Sequence, residues 1–160
     1  MTISVGDRMP DGSFAVMSTG EPTSISSREL FDGKKVVFVS VPGAFTPTCS
    51  MHHLPGLVRN ADEILAKGVD TIACMAVNDV YVMMAWGKHL DAGDKVTMLA
   101  DGNADYTRAL GLELDASKLG LGIRGQRFVI VADDGVVTHI AVEEPACFDV
   151  TRAETILGIL

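Results

Sequence analysis

An α/β fold, with a central, mostly buried β-sheet flanked by helices, is the fold class this chain predicts, and three observations predict it. Val36-Val37-Phe38-Val39-Ser40-Val41 is an apolar, β-branched run stopped by Pro42-Gly43, the pattern of a strand covered on both faces. Leu54, Leu57, Val58, Ala61, Ile64 and Leu65 then recur at spacings of three and four, giving one apolar helical face. Val69 to Val77 is a second inner-strand run after Gly68. Strand, helix and strand make a βαβ unit, whose crossover is right-handed in nearly all folds.

The other elements fall around this unit. Ser13 to Met17 is a short alternating piece between Asp11-Gly12 and Glu21-Pro22, which predicts an N-terminal hairpin or edge strand. Ser26 to Phe31 can form one or two helical turns before Asp32-Gly33. Asn78 or Asp79 caps a helix through Val82, Met83, Trp86 and Leu90, whose Met and Trp stripe reads as core or subunit interface. Val96 to Ala100 is a third strand, and a short helix from Ala104 to Leu110 ends at Gly111. Residues 112–122 lack a period and read as an irregular loop. Arg127 to Val131 and Val136 to Val142 form a hairpin around Asp133-Asp134-Gly135, and Thr151 with Glu154 predicts a capping box for the last helix. Nothing in this series marks a linker or repeat, so residues 1–160 form a single domain.

Composition narrows the function. The chain has 48% apolar residues and 21% charged ones, as a packed core requires. Its net charge of −8 disfavours nucleic acid or an anionic membrane as partner. No cationic start with an apolar core resembles a secretory signal, so the expectation is a soluble, cytoplasmic protein. Three cysteines, Cys49, Cys74 and Cys147, are too few for a disulfide scaffold and suit a reducing compartment.

Cys49 stands where chemistry is expected. Thr46-Pro47 reads as a helix start, with Thr able to cap an amide and Pro suited to the first helical position. Cys49 then falls in the first turn, beyond the carboxyl end of a central strand, where free amides and the helix dipole favour a thiolate. Cys74, mid-strand, reads as a small buried side chain. His52 and His53 lack the further ligands a zinc site needs, so no metal and no cofactor is expected. Gly120 to Gly125 spells a dinucleotide fingerprint but precedes a strand instead of following one, and is rejected as such.

Pro42-Gly43-Ala44-Phe45-Thr46-Pro47-Thr48-Cys49 resembles the active-site loop of peroxiredoxins, in particular the peroxiredoxin-5 (type II) subgroup of the redoxins. The likeness continues through His53-Leu54-Pro55-Gly56, Val77-Asn78-Asp79, Trp86-Gly87 and Gly120-Leu121-Gly122-Ile123-Arg124. It implies a thioredoxin-like fold and a thiol-dependent peroxidase for hydrogen peroxide and alkyl hydroperoxides. It implies roles for Cys49 as peroxidatic nucleophile, Thr46 as the group orienting the peroxide, Pro42 as a shaper of the pocket and Arg124 as the cation at the sulfur. His53 and Gly43 are expected behind them, and Arg127 is the rival cation. A homodimer is likewise implied.

The sulfenic acid left on Cys49 must be reduced. No Cys-x-x-Cys is present, so the expected reductant is an external thiol: glutathione with glutaredoxin, or thioredoxin. Cys147, after Glu143-Glu144-Pro145, is the one candidate for an internal resolving thiol, although its place relative to the Glu-Pro pair departs from the family pattern. The alternatives are therefore a two-cysteine cycle through Cys147 and a non-catalytic redox sensor.

Overall fold

The computed structural model describes residues 1–160. Seven strands form one sheet: β1 (Ser13–Ser18), β2 (Glu21–Ser26), β3 (Lys35–Ser40), β4 (Thr71–Ala76), β5 (Thr97–Ala100), β8 (Phe128–Asp133) and β9 (Val136–Val142). Their order across the sheet is β2-β1-β5-β4-β3-β8-β9. β6 (Glu113–Asp115) and β7 (Ile123–Gly125) pair separately as a small antiparallel ribbon. The helices are α1 (Ser27–Phe31), α2 (Leu54–Ala66), α3 (Val80–His89), α4 (Asp105–Leu110) and α5 (Ala153–Ile159), with one π-helical turn, Cys49–His53, leading into α2.

The expected βαβ unit is present: β3 and β4 run parallel, with Val36 beside Thr71 and Ser40 beside Met75, and α2 connects them. β8 runs antiparallel to β3, with Ser40 opposite Phe128. The start of β8 thus lies beside the carboxyl end of β3, a register that decides the active site. No helix is long and apolar enough to cross a membrane.

Alternation along β3 and β8 divides the core in two. Val37, Val39, Val129 and Val131 face Leu54, Leu57, Ala61 and Ile64 of α2, together with Trp86 and Ile156. Val36, Phe38, Phe128 and Ile130 face Leu30, Phe31, Tyr106 and Leu110. Phe38 is the hub of the second layer, its ring 5.6 Å from Phe31 and about 6 Å from Phe14, Phe128 and Tyr106. Such tilted and edge-on pairs add to the free energy of burial.

Two expectations need correction. Residues 112–122 are not irregular throughout, because β6 pairs with β7 and a single turn of 3₁₀ helix covers Ser117–Leu119. The capping box at Thr151 does not form: α5 begins at Ala153 after Arg152, and the Thr151 hydroxyl instead donates to Glu143 Oε1 at 3.0 Å. The Glu143 carboxylate accepts from both the Thr151 hydroxyl and the Thr151 backbone N–H, which holds that side chain in the loop ahead of α5. At the N-terminal side the reading holds, for β1 and β2 form the edge hairpin and Ser26 caps α1 in a true capping box with Glu29.

Truncation at the aromatic hub, Phe38→Ala, is expected to lower stability by about 3–5 kcal/mol, read as a fall in the urea midpoint with the slope unchanged. A loss below about 1 kcal/mol would show that the second layer closes around the gap.

Candidate active site

Three chain segments converge at the carboxyl end of β3. The first is the loop from Pro42, in which Thr46 N donates to the Gly43 carbonyl at 3.4 Å and the Thr46 hydroxyl to the same oxygen at 2.6 Å. Thr46 precedes the helical residues as its position predicts, but its side chain serves the loop and not a helix amide. That bond uses the hydroxyl proton and leaves oxygen lone pairs free to accept. Phe45 occupies the left-handed region at φ 63°, a conformation that costs a side-chain-bearing residue about 1–2 kcal/mol. Ala44 N on Asn78 Oδ1 at 3.0 Å ties the loop to the end of β4, while Asp79, not Asn78, caps α3 through Val82 N.

The second segment is the π-helical turn, whose Leu54 N–H reaches back to the Cys49 carbonyl. Such five-residue turns occur frequently at functional sites. Ser50 accepts a 2.9 Å bond from the Trp86 indole, which fixes the turn against α3. Cys49 has no solvent-exposed surface. Any reactant therefore reaches its sulfur through local opening of these covering segments.

The third segment brings the cation, and here the sequence-based choice is corrected. Arg127, not Arg124, meets the sulfur: its Nη2 lies 3.1 Å from Cys49 Sγ, while Nη1 lies 2.8 Å from His53 Nδ1. Arg124 turns elsewhere, donating from Nε to the Leu121 carbonyl at 2.9 Å and from Nη1 to the Pro42 carbonyl at 3.4 Å. The reason is topological. Arg127 immediately precedes β8, which lies against β3, whereas Arg124 belongs to the separate β6–β7 ribbon. Arg124 still borders the loop, since a Cβ on Gly43 would come within 3.0 Å of its Nη1 and 3.1 Å of Thr46 Cγ2. Gly43 is thus the residue that lets the loop and that guanidinium lie together.

His53 is buried behind the sulfur. Burial first, and the Arg127 charge second, push its pKa down to about 3. It is therefore neutral at physiological pH, and only a neutral imidazole can present Nδ1 as an acceptor to Arg127. Cys74, also buried, has its thiol pKa pushed up by burial and then by the nearby Cys49.

Several residues of the site carried no signal in the sequence. The Phe148 ring lies 5.0 Å from His53 and 5.8 Å from the Arg127 guanidinium, closing the far side of the site. Its loop is held by Glu143, whose Oε1 accepts from Asp149 N at 2.6 Å, Thr151 N at 2.9 Å and Thr151 Oγ1. Cys147, exposed on the same loop, lines a cleft of about 140 Å³ with Pro42, Thr48, Glu143 and Arg127. All three cysteines are free thiols.

Residues 4–157 match the family model described as Redoxin. The chain is 46% identical to Peroxiredoxin-2B of Arabidopsis thaliana, over 99% of this chain and 98% of that one. It is 48% identical to the chloroplastic Peroxiredoxin-2E-2 of Oryza sativa subsp. japonica, over 99% of this chain and 73% of that one. The fold superimposes with a TM-score of 0.94 on reduced Prx3 of Vibrio vulnificus in complex with H2O2, at 49% identity over 99% of this chain and 96% of that one.

Two measurements check this geometry. Arg127→Ala is expected to slow peroxide reduction by roughly two to three orders of magnitude and Arg124→Ala by less than about tenfold; the reverse ranking would refute the assignment. For His53, the unfolded chain takes up a proton near 6.5 but the fold resists until about 3, so the unfolded state binds more protons between them. Stability from keeping His53 neutral is full above about 6.5 and is lost as pH falls through that window. The Tm of the parent should therefore fall relative to His53→Gln between about pH 6.5 and 5, and parallel profiles would count against a buried neutral imidazole.

Proposed function

The chain belongs to the redoxin family, among its type II peroxiredoxins, and is a thiol-dependent peroxidase; from that premise we propose how its residues divide the work. The observation that carries the proposal is the Arg127 guanidinium 3.1 Å from Cys49 Sγ. Cys49 sulfur attacks one peroxide oxygen, forming an S–O bond as the O–O bond breaks. The leaving oxygen departs as hydroxide or alkoxide and takes a proton to become water or alcohol, and Cys49 becomes a sulfenic acid. Arg127 faces the negative charge that develops on the oxygens, and the Thr46 hydroxyl, its proton committed to Gly43, accepts a hydrogen bond from the peroxide.

Pro42 brings no N–H to this pocket, and its carbonyl holds Arg124 beside the loop.

Reduction by an external thiol, glutathione with glutaredoxin or else thioredoxin, completes the proposed cycle. Cys74 is sealed in the sheet, which leaves Cys147 as the internal rival, favoured by its place in the cleft walled by Arg127. The proposal extends to a homodimer in a cytoplasmic, reducing setting. Phe45, Met51 and Tyr81 support the dimer, since all three stay exposed on the loop, the π turn and α3, which pack together.

Peroxide consumption is expected to vanish in Cys49→Ser; retained turnover would overturn the nucleophile. Intact mass after one equivalent of peroxide should show the gain of one oxygen. Loss of two hydrogens, absent in Cys147→Ser, would instead establish the internal disulfide. A non-catalytic sensor would give the same oxidised mass but no multiple turnover with thiol present.

A further inference from the structure

Beside the covered sulfur, with Phe148 in its wall, lies a second cleft of about 300 Å³ between the π turn, α2 and the start of α5. Its walls include Thr48, His52, Arg59, Phe148, Arg152 and Glu154. In a chain with net charge −8, this patch is basic, and its two guanidiniums are unspent. The ion pairs of the molecule engage Arg8, Arg28 and Lys95, and none engages Arg59 or Arg152.

Arg152 is held in place without being neutralised. Its Nε donates to the Phe148 carbonyl at 3.0 Å and its guanidinium carbon lies 5.1 Å from the centre of the Phe148 ring. Its two terminal nitrogens remain free for a carboxylate, in the fork geometry that suits one. The His52 ring stacks on the same Phe148 ring, 6.3 Å away and tilted by 23°. Glu154 is the one carboxylate on the wall. The cleft therefore offers two cations, a polar ring and a single anion around an aromatic floor.

Its position ties it to the reaction. Thr48 and His52 flank Cys49 in the helical turns, and Thr48 also borders the narrower cleft that contains Arg127. A molecule anchored on Arg59 and Arg152 thus has its other end beside the segment that covers the sulfur.

We infer that this cleft is the docking subsite for a small anionic thiol carrying two carboxylates and one ammonium, the charge pattern of the tripeptide glutathione. The inference rests on the proposal that an external thiol reduces Cys49. The carboxylates lie on Arg59 and Arg152, and the ammonium lies toward Glu154. The bound thiol attacks the sulfenic sulfur: an S–S bond forms, the S–O bond breaks, and the hydroxyl leaves as water with the thiol proton. A second molecule of the same thiol then attacks the outer sulfur of the mixed disulfide, releasing oxidised thiol dimer and returning Cys49 reduced.

The test uses the full chain, oxidised with one equivalent of hydrogen peroxide and mixed with glutathione or with its uncharged-carboxylate diester. Trp86, the single tryptophan and bonded to the π turn through Ser50, reports the reduction by its fluorescence. Glutathione should react roughly tenfold faster than the diester, the scale of two part-exposed ion pairs, and the advantage should shrink with added salt. Arg59→Gln with Arg152→Gln should abolish the difference by slowing glutathione alone, and Arg152→Lys should retain most of it.

Equal rates for the two thiols in the parent would overturn the subsite while leaving external reduction intact. So would a double variant that slows both thiols alike, since that is the mark of a disturbed Phe148 loop and not of lost charge recognition. A sulfenic acid that neither thiol reduces would overturn the external-thiol proposal and the subsite with it. Failure to form the sulfenic acid at all would refute the assignment of Cys49 first.

Discussion

The contact between the Arg127 guanidinium and the Cys49 sulfur is the constraint to which the rest of the molecule answers. One nitrogen of the fork meets the sulfur and another meets His53, so both side chains are fixed by a single planar group. Arg127 can do this only because β8 returns antiparallel along β3 and begins where β3 ends. His53 can take part only while neutral, and burial among α2, Arg127 and Phe148 keeps it so. The site is a small polar cluster whose geometry is set by an apolar sheet.

Around that cluster the chain accepts local strain and holds it by unlike means. Phe45 sits at positive φ, Thr46 gives its proton to Gly43, and Ala44 is pinned to Asn78 in the connection from β4 to α3. The π turn holds Cys49 below the surface and is bonded to Trp86. Glu143 clamps the loop that lays Phe148 over the far side. Covering segments of this kind are held by a few hydrogen bonds each, whereas the strands beneath are packed on both faces. Local opening therefore costs less than unfolding, and a buried sulfur remains usable chemistry.

Electrostatics follows the same division. The molecule is acidic overall, yet the arginines around Cys49 are not paired with carboxylates: Arg124 is bonded to backbone carbonyls, Arg127 to sulfur and imidazole, and Arg152 to a carbonyl and an aromatic ring. Uncharged acceptors and π faces orient a guanidinium without cancelling its charge. Three guanidinium charges not cancelled by carboxylates are thus gathered around Cys49 in an otherwise acidic molecule.

Much of this was legible in the chain itself. The apolar run at Val36 to Val41, the helical spacing after Pro55 and the Thr46-Pro47 helix start fixed a βαβ unit with Cys49 at its loop, because periodicity and turn chemistry are local properties. The choice between Arg124 and Arg127 was not local. One sign was available, since Arg127 shares its strand face with Val129 and Val131, the face that α2 covers, but its weight depends on knowing that β8 pairs with β3. Thr151 likewise matched a capping pattern and was taken by Glu143, a carboxylate eight residues away. Sequence alone determined the βαβ unit, the edge hairpin and the place of Cys49 just past the end of β3, whose causes lie within a few residues. Only tertiary structure decided which cation, which ring and which carboxylate surround it, because those neighbours are brought together by strand pairing across most of the chain.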